Sequence, residues 1–263
     1  MSVAKRAWLP EEIQLLKSEY ATNSLDELCK VIGRHSRRAI RQKAYTLNLR
    51  KHPWKYEVNH NFFEEWNEEM AYILGFFCAD GCLKDRNRIN FSNCEYEIIR
   101  LIKLALQAEN PIYEFNRENR KTLYVLEFTS KKIKEKLEEI GLTEKKSSTL
   151  KFPKVPIDYL KDFIRGFFDG DGGLHISKRN NQLIIYFASG SEAFIKSLEK
   201  KLRCKLKLRE KKINFRGGVY RLRYYSNEAK TILSWLYEGA SLFMKSKYEK
   251  FMVLSDIRRN KGG

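Results

Sequence analysis

The sequence predicts an α+β chain: two pseudo-symmetric halves, each ordered α-β-β-α-β-β-α, preceded by a small all-α module. Three observations predict it. The segment Ile73–Leu83 (ILGFFCADGCL) recurs without gaps as Ile164–Leu174 (IRGFFDGDGGL), with seven of eleven positions identical at an offset of 91. The stretches after each copy alternate in the same order between strand-like and helix-like periodicity. The N-terminal residues carry a separate helical periodicity with their own caps. The boundaries that follow are 1–52 for the module, 53–67 for a linker, 68–157 for the first half and 158–263 for the second.

Composition narrows the function. The 263 residues hold 51 Lys and Arg against 33 Asp and Glu, a net charge of +18. Aromatics at 13% and hydrophobic residues at 43% exclude a disordered basic tail. No apolar run reaches the ~18 residues of a membrane-spanning helix. The opening MSVAKRAWLPEE has no apolar signal core, so a cytoplasmic location without secretion is expected. Five cysteines, an odd number without a CxxC, speak against a disulfide framework. Surplus positive charge on a folded chain calls for a polyanion, nucleic acid before an anionic membrane.

The first module reads as three helices. Pro10 suits a first helical turn, and Glu11 and Glu12 suit its positive end. Ser24 caps a second helix holding Leu25, Leu28 and Ile32, which Gly33 ends. Ser36 caps a third, with Ala39, Ile40, Ala44 and Leu47 on its apolar face. Arg37, Arg38, Arg41 and Gln42 take the opposite face, where a recognition helix would present them to base edges.

In the first half, strands are expected at Cys82–Lys84, Arg88–Asn93, 112–117 and Leu123–Thr129, with helices at Glu95–Gln107 and 131–140. In the second, strands are expected at Leu174–Lys178, Leu183–Ser189, Lys205–Arg209 and Val219–Ser226, with helices at Glu192–Leu202 and Glu228–Tyr237. Four strands need helices over one face, which leaves the other open. The open-face candidates are Lys84, Arg88, Asn90 and Ser92, then His175, Ser177, Lys205, Lys207, Arg209, Arg221 and Arg223. They alternate with Ile89, Phe91, Ile176, Leu206, Leu208 and Leu222, which point to the core.

The repeated segment is itself helical. Gly75 and Ala79, like Gly166 and Gly170, are four apart, which lets two helix backbones approach closely. Asp80 and Asp171 fall at the C-terminal ends, with Gly81 and Gly172 expected as left-handed caps. Carboxylates at the negative ends of adjacent helices repel the dipoles. A divalent cation relieves this, and carboxylate oxygens with water suit Mg²⁺.

ILGFFCADG (73–81) and IRGFFDGDG (164–172) resemble the nine-residue motif of the LAGLIDADG homing endonucleases, and the flanking pattern extends the resemblance over roughly 68–255. The resemblance implies a monomeric, single-chain enzyme with internal two-fold pseudo-symmetry, whose sheets form a saddle over a long double-stranded DNA site. It implies that Asp80 and Asp171 bind Mg²⁺ with the carbonyls of Ala79 and Gly170. Water then attacks a phosphodiester in each strand, which promotes mobility of the enzyme's own coding element. A basic residue assists each site; Lys146 and Lys247 match by position, with Lys145 and Lys245 as alternatives. The sixth motif position is Asp169 in one copy and Cys78 in the other, so it reads as structural. The N-terminal module resembles Myb/SANT-like helix-turn-helix modules on Trp8, Glu11-Glu12, Leu28, Gly33-Arg34, Ile40, Lys43-Ala44 and Leu47. The competing expectation is a nucleic-acid-binding protein without cleavage, an intron maturase or transcription regulator. Retention of both Asp80 and Asp171 favours cleavage.

Overall fold

A computed structural model of the chain describes residues 7–21, 23, 25–49, 56–116, 118–144, 148–177 and 182–259, with side chains as far as residue 253. It divides into two units, Met1–Glu57 and Val58–Gly263.

The first unit holds α1 (Pro10–Glu19), α2 (Leu25–Ile32) and α3 (Arg37–Thr46) around Leu16, Tyr20, Leu28, Ile32, Ile40 and Ala44. Ser36 caps α3, its hydroxyl accepting from the Ala39 N–H at 3.3 Å. Gly33, at φ +66, makes the turn between α2 and α3. Ser24 lies outside the described residues. Glu12 does more than sit near a helix dipole. It accepts the Leu9 N–H at 2.9 Å, meets His35 Nε2 at 3.2 Å and pairs with Arg34 at 3.6 Å. His35 in turn stacks on Trp8. Glu12 is thus a strut between α1 and the α2–α3 turn.

In the second unit each half repeats one order. The first runs α4 (Glu68–Asp80), β1 (Gly81–Lys84), β2 (Arg88–Asn93), α5 (Tyr96–Ala105), β3 (Ile112–Phe115), β4 (Leu123–Thr129) and α6 (Lys131–Glu139). The second runs α7 (Leu160–Asp171), β5 (Gly172–Ser177), β6 (Gln182–Ser189), α8 (Glu192–Leu206), β7 (Asn214–Arg216), β8 (Val219–Tyr225) and α9 (Ser226–Tyr237), and α10 (Lys245–Arg259) follows. The antiparallel sheets have matching orders, β1-β2-β4-β3 and β5-β6-β8-β7. Leu83, Ile89, Phe91, Leu126 and Phe128 bury one face of the first; Leu183, Ile185, Phe187, Leu222 and Tyr224 bury the equivalent face of the second.

Four expectations are corrected. The stretch 205–209 is not a strand: α8 runs on to Leu206, and Lys207 is its left-handed cap at φ 52. Leu206 and Leu208 alternate with basic residues, but Leu198, Leu202 and Leu206 also fall four apart, and the helical period wins. Lys205, Lys207 and Arg209 therefore lie off the sheet. Its edge strand is β7, joined to β8 by Gly217 and Gly218, both at positive φ, as a two-residue hairpin turn requires. Ile176 takes the core-side parity but stays 39% exposed at the sheet edge. The linker is shorter than 53–67, because Val58, Phe62 and Phe63 are buried in the second unit and the Asn59 N–H bonds the Leu106 carbonyl. Finally, Gly81 and Gly172 are extended, at φ −88 and −87. Glycine is needed there for space, since a methyl on either would sit within 2.3 Å of a ring carbon of Phe77 or Phe168.

The two motif helices are the centre of the unit. Met70 to Cys78 of α4 are all buried, on every side of the helix, as only a helix enclosed by others can be. The helices touch through glycine. A methyl on Gly75 would lie 2.0 Å from the Phe163 carbonyl oxygen, and one on Gly166 would lie 1.9 Å from that of Tyr72.

Candidate active site

The crossing fixes where the motif acids stand. One turn beyond the glycine contacts, Gly170 faces the Ala79 methyl; a Cβ on Gly170 would be 2.3 Å from it and 3.5 Å from Asp80 Oδ2. The two helix ends, and the half-buried Asp80 and Asp171 on them, are thus neighbours, and each helix passes directly into the first strand of its sheet. Asn93, at the end of β2, donates to Asp80 Oδ2 at 2.7 Å and orients that carboxylate. No sequence pattern marks Asn93, because the contact is made by sheet register.

Asp169 has a different task. It is fully buried and accepts from the Tyr72 hydroxyl at 2.7 Å, the Tyr237 hydroxyl at 2.7 Å and the Met244 N–H at 2.8 Å. Burial holds its carboxyl above the ordinary range, opposed by Lys247 and the three donors. Burial and Asp169 also push both tyrosines well above theirs, so both remain donors. Nearby Arg165, 1% exposed, donates to the carbonyls of Leu242 and Leu236 at 2.8 and 3.1 Å, pairs with Asp162 at 2.8 Å and lies over the Tyr72 ring. These contacts tie the chain between α9 and α10 to the second motif helix. Cys78, the equivalent of Asp169, is a small buried residue.

Lys247, on the first turn of α10, is placed beside this end. Its ammonium donates to the carbonyls of Phe168, Asp169 and Gly172 at 2.6, 2.6 and 2.7 Å. An ammonium has three donors, and all are engaged. The carbonyl of Gly170 is not in that set. Burial pushes the Lys247 ammonium below the ordinary lysine range, against Asp169, Asp80, Asp171 and Glu95. Ser246 adds a hydrogen bond to Glu95. Lys245 is exposed and pairs with Glu249 at 3.7 Å. Lys145 and Lys146 lie outside the described residues.

The remaining candidates occupy two settings. Arg37, Arg38, Arg41 and Gln42 are exposed along α3, with Arg37 paired to Asp26. Lys84, Arg88 and Asn90 share the open face of the first sheet, but all three reach Glu127, at 2.7, 3.4 and 3.4 Å. Burial raises the Glu127 carboxyl, and these partners outweigh it, leaving it below the ordinary range. His175, Ser177, Arg221 and Arg223 share the open face of the second sheet. Arg216 of β7 joins them, and the misplaced strand hid it; the Gly217-Gly218 pair was the signal that could have found it.

The comparisons agree with this geometry. The LAGLIDADG-like domain family matches twice, at residues 67–141 and 158–234. Over 117 residues, 42% of this chain, the sequence is 33% identical to a replication factor C small subunit of Methanocaldococcus jannaschii, but that match spans 6% of the relative's length. Among solved structures, the chain is similar to the LAGLIDADG meganuclease I-CpaMI bound to uncleaved DNA, with 15% identity, 75% of this chain and 93% of that one covered, and a TM-score of 0.52. It is also similar to full-length DUF199/WhiA from Thermatoga maritima, with 15% identity, coverage of 76% and 72%, and a TM-score of 0.48. With the motif in both repeats and the repeats crossed through their glycines, the chain belongs to the LAGLIDADG-like domain family.

Proposed function

We propose that this chain is a site-specific double-stranded DNA endonuclease that uses Mg²⁺. The observation that carries the reading is the pair Asp80 and Asp171 at adjacent ends of two crossed helices, each end opening onto a sheet with basic residues on its free face. The donors are carboxylates and main-chain carbonyls, all hard oxygens. Among the described residues no three acidic, His or Cys side chains cluster. Mg²⁺ needs no such cluster, since it commonly takes one or two carboxylates and fills its shell with water and substrate phosphate. Asp80 and Asp171, with the carbonyls of Ala79 and Gly170, are the residues that would hold it. Bound there, it would supply Lewis-acid stabilisation of the attacking and leaving oxygens.

The chain's own residues do the rest. Asn93 orients Asp80. Lys247 serves as a positioning residue: with its donors on main-chain carbonyls it offsets the negative end of α7 and fixes the turn that presents Asp171. Arg221, Arg223, Arg216 and His175 bind the DNA backbone and base edges in one half, and the α3 face of the N-terminal module, in the helix-turn-helix role, adds flanking contacts. The protein acts as a monomer in the cytoplasm and promotes mobility of its own coding element. Among the described residues no helix is long and apolar enough to cross a membrane.

The test is a randomised duplex library incubated with protein and Mg²⁺. Double-strand cleavage by the wild type, lost in Asp80→Asn and Asp171→Asn that still bind, is expected. Substantial cutting by both variants refutes the assignment. The engagement of Lys247 favours a second reading, a DNA-binding protein that does not cut. That reading predicts a selected site left intact by the wild type in Mg²⁺.

A further inference from the structure

The two sheets hold equivalent places in the repeat but expose different chemistry. Strands β5 to β8 contain no acidic residue, and Arg216, Arg221 and Arg223 stand on the open face. On the first sheet, Glu127 engages both cations of the open face, Lys84 and Arg88. Beside them the register places Tyr113 opposite Val125 and Phe115 opposite Leu123, on that same open face. Tyr113 and Phe115 are 49% and 52% exposed, and all four line one shallow concavity with Lys84 and Glu127.

We infer that the two halves read their half-sites by different chemistry: the second through guanidinium contacts to phosphates and base edges, the first through apolar contact with thymine methyl groups. This rests on the DNA-binding part of the function proposed above. A sheet face laid in the major groove meets hydrogen-bonding edges at every base pair, but the apolar group on offer there is the thymine C5-methyl. A strip of two aromatic and two aliphatic side chains can bury such methyls and cannot match a cytosine or guanine edge in their place. The held cations point the same way. With Lys84 and Arg88 on Glu127, the face is a poor partner for phosphate, and its contribution to affinity must come from base contacts. A protein partner or a second copy of this chain could cover the same strip; the charged, two-fold-related face of the other half favours DNA across both.

The experiment uses the full chain and a duplex selected from a randomised library in EDTA, with deoxyuridine then replacing thymidine in one half-site at a time. Uracil lacks only the methyl. In one half-site each contacted position is expected to weaken binding about fourfold, the equivalent of ~0.8 kcal/mol for one buried methyl. The other half-site, whose open face sets Ile184 and Tyr186 among its arginines, is expected to show a smaller change. Tyr113→Ser with Phe115→Ser, both exposed positions, should abolish the uracil effect and weaken binding of the thymidine duplex to about that of the uracil duplex with the wild type. Glu127→Gln should release Lys84 and Arg88 and steepen the dependence of log K on log salt by up to about 0.9 for each new phosphate contact. Equal uracil sensitivity in both halves, or in neither, overturns the inference while the DNA-binding reading stands. Failure to select any duplex removes both. Conversion of a dimer to monomer by the serine pair, with uracil sensitivity unchanged, assigns the strip to a second copy and also overturns the inference.

Discussion

The ends of the two motif helices, so close in sequence, are held in unlike ways. At the end of α4, Cys78 is packed as a small apolar residue and Asn93 orients Asp80 through one hydrogen bond. At the end of α7, Asp169 gathers two tyrosines and a backbone N–H, while Lys247 covers three carbonyls. The crossing itself is symmetric: Gly75 meets the Phe163 carbonyl as Gly166 meets that of Tyr72. The difference shows which part of a duplicated motif is constrained by the duplication. The glycines at the crossing, Gly75 and Gly166, stay alike because each meets a backbone carbonyl of the other helix. One turn on, Asp169 replaces Cys78, because only α7 anchors the C-terminal segment.

Breaking the symmetric part should cost most, and equally in both copies. Gly75→Val and Gly166→Val each force side-chain atoms into a backbone carbonyl that cannot withdraw without separating the helices. A loss of about 3 kcal/mol or more is expected for each, measured by denaturant unfolding. A large inequality between the two would show that the crossing is not symmetric in energy.

The anchoring should show the asymmetry. Asp169→Ala strands two buried hydroxyls and an N–H, each worth about 1–3 kcal/mol when left unsatisfied, and should destabilise by roughly 3 kcal/mol. Cys78→Ala shortens a small buried side chain and should cost about 1 kcal/mol. Comparable losses would mean that the sixth motif position is equivalent in both halves after all.

Lys247 gives a finer test. As a positioning residue seated among three carbonyls, it should not be replaceable by Arg, whose planar fork does not fit an ammonium cradle. Lys247→Met and Lys247→Arg should both lower Tm and cleavage to a similar degree. A lysine acting on phosphate would be rescued in part by Arg, with Tm unchanged. Lys245→Ala, at an exposed ion pair, should leave Tm within about 2 °C.

Much of this architecture was legible. Strands Arg88–Asn93 and Leu123–Thr129 end where the sequence predicts. The duplication itself implies that Asp80 and Asp171 end neighbouring helices. The stretch 205–209 misled because Leu206 satisfies both the period of a strand and that of a helix. Helix α10 was not foreseen, since its apolar face, Tyr248 and Phe251, is too narrow to show periodicity. The partners of Lys247 are main-chain carbonyls, which leave no mark in a sequence. The pairing of Glu127 with Lys84 and Arg88 was hidden for another reason. It depends on how β1, β2 and β4 are registered, and Glu127 lies 43 residues beyond Lys84 and 39 beyond Arg88.

A pair of equivalent strand-end residues separates orientation from folding at the first site. By strand register, Phe91 lies opposite Gly81 and Phe187 opposite Gly172, so Asn93 and Ser189 are equivalent positions. Asn93 accepts from the Glu95 N–H at 2.9 Å as the Ser189 hydroxyl accepts from the Ser191 N–H at 3.1 Å, but Asn93 alone also donates to the motif acid, Asp80. Asn93→Ala removes both of its hydrogen bonds, one of them to a half-buried carboxylate, and should cost about 2 kcal/mol of stability. Cleavage should fall as well, because a carboxylate that must hold its geometry loses an orienting partner; about a tenfold fall in rate corresponds to ~1.4 kcal/mol of transition-state stabilisation. Ser189→Ala, which removes only the shared turn contact, should cost less stability and leave the cleavage rate unchanged. Single-turnover cleavage and urea unfolding of the two variants, measured side by side, decide the matter. Equal rates for Asn93→Ala and Ser189→Ala would show that Asp80 needs no orienting donor, and that the two halves, for all their difference in anchoring, present their acids alike.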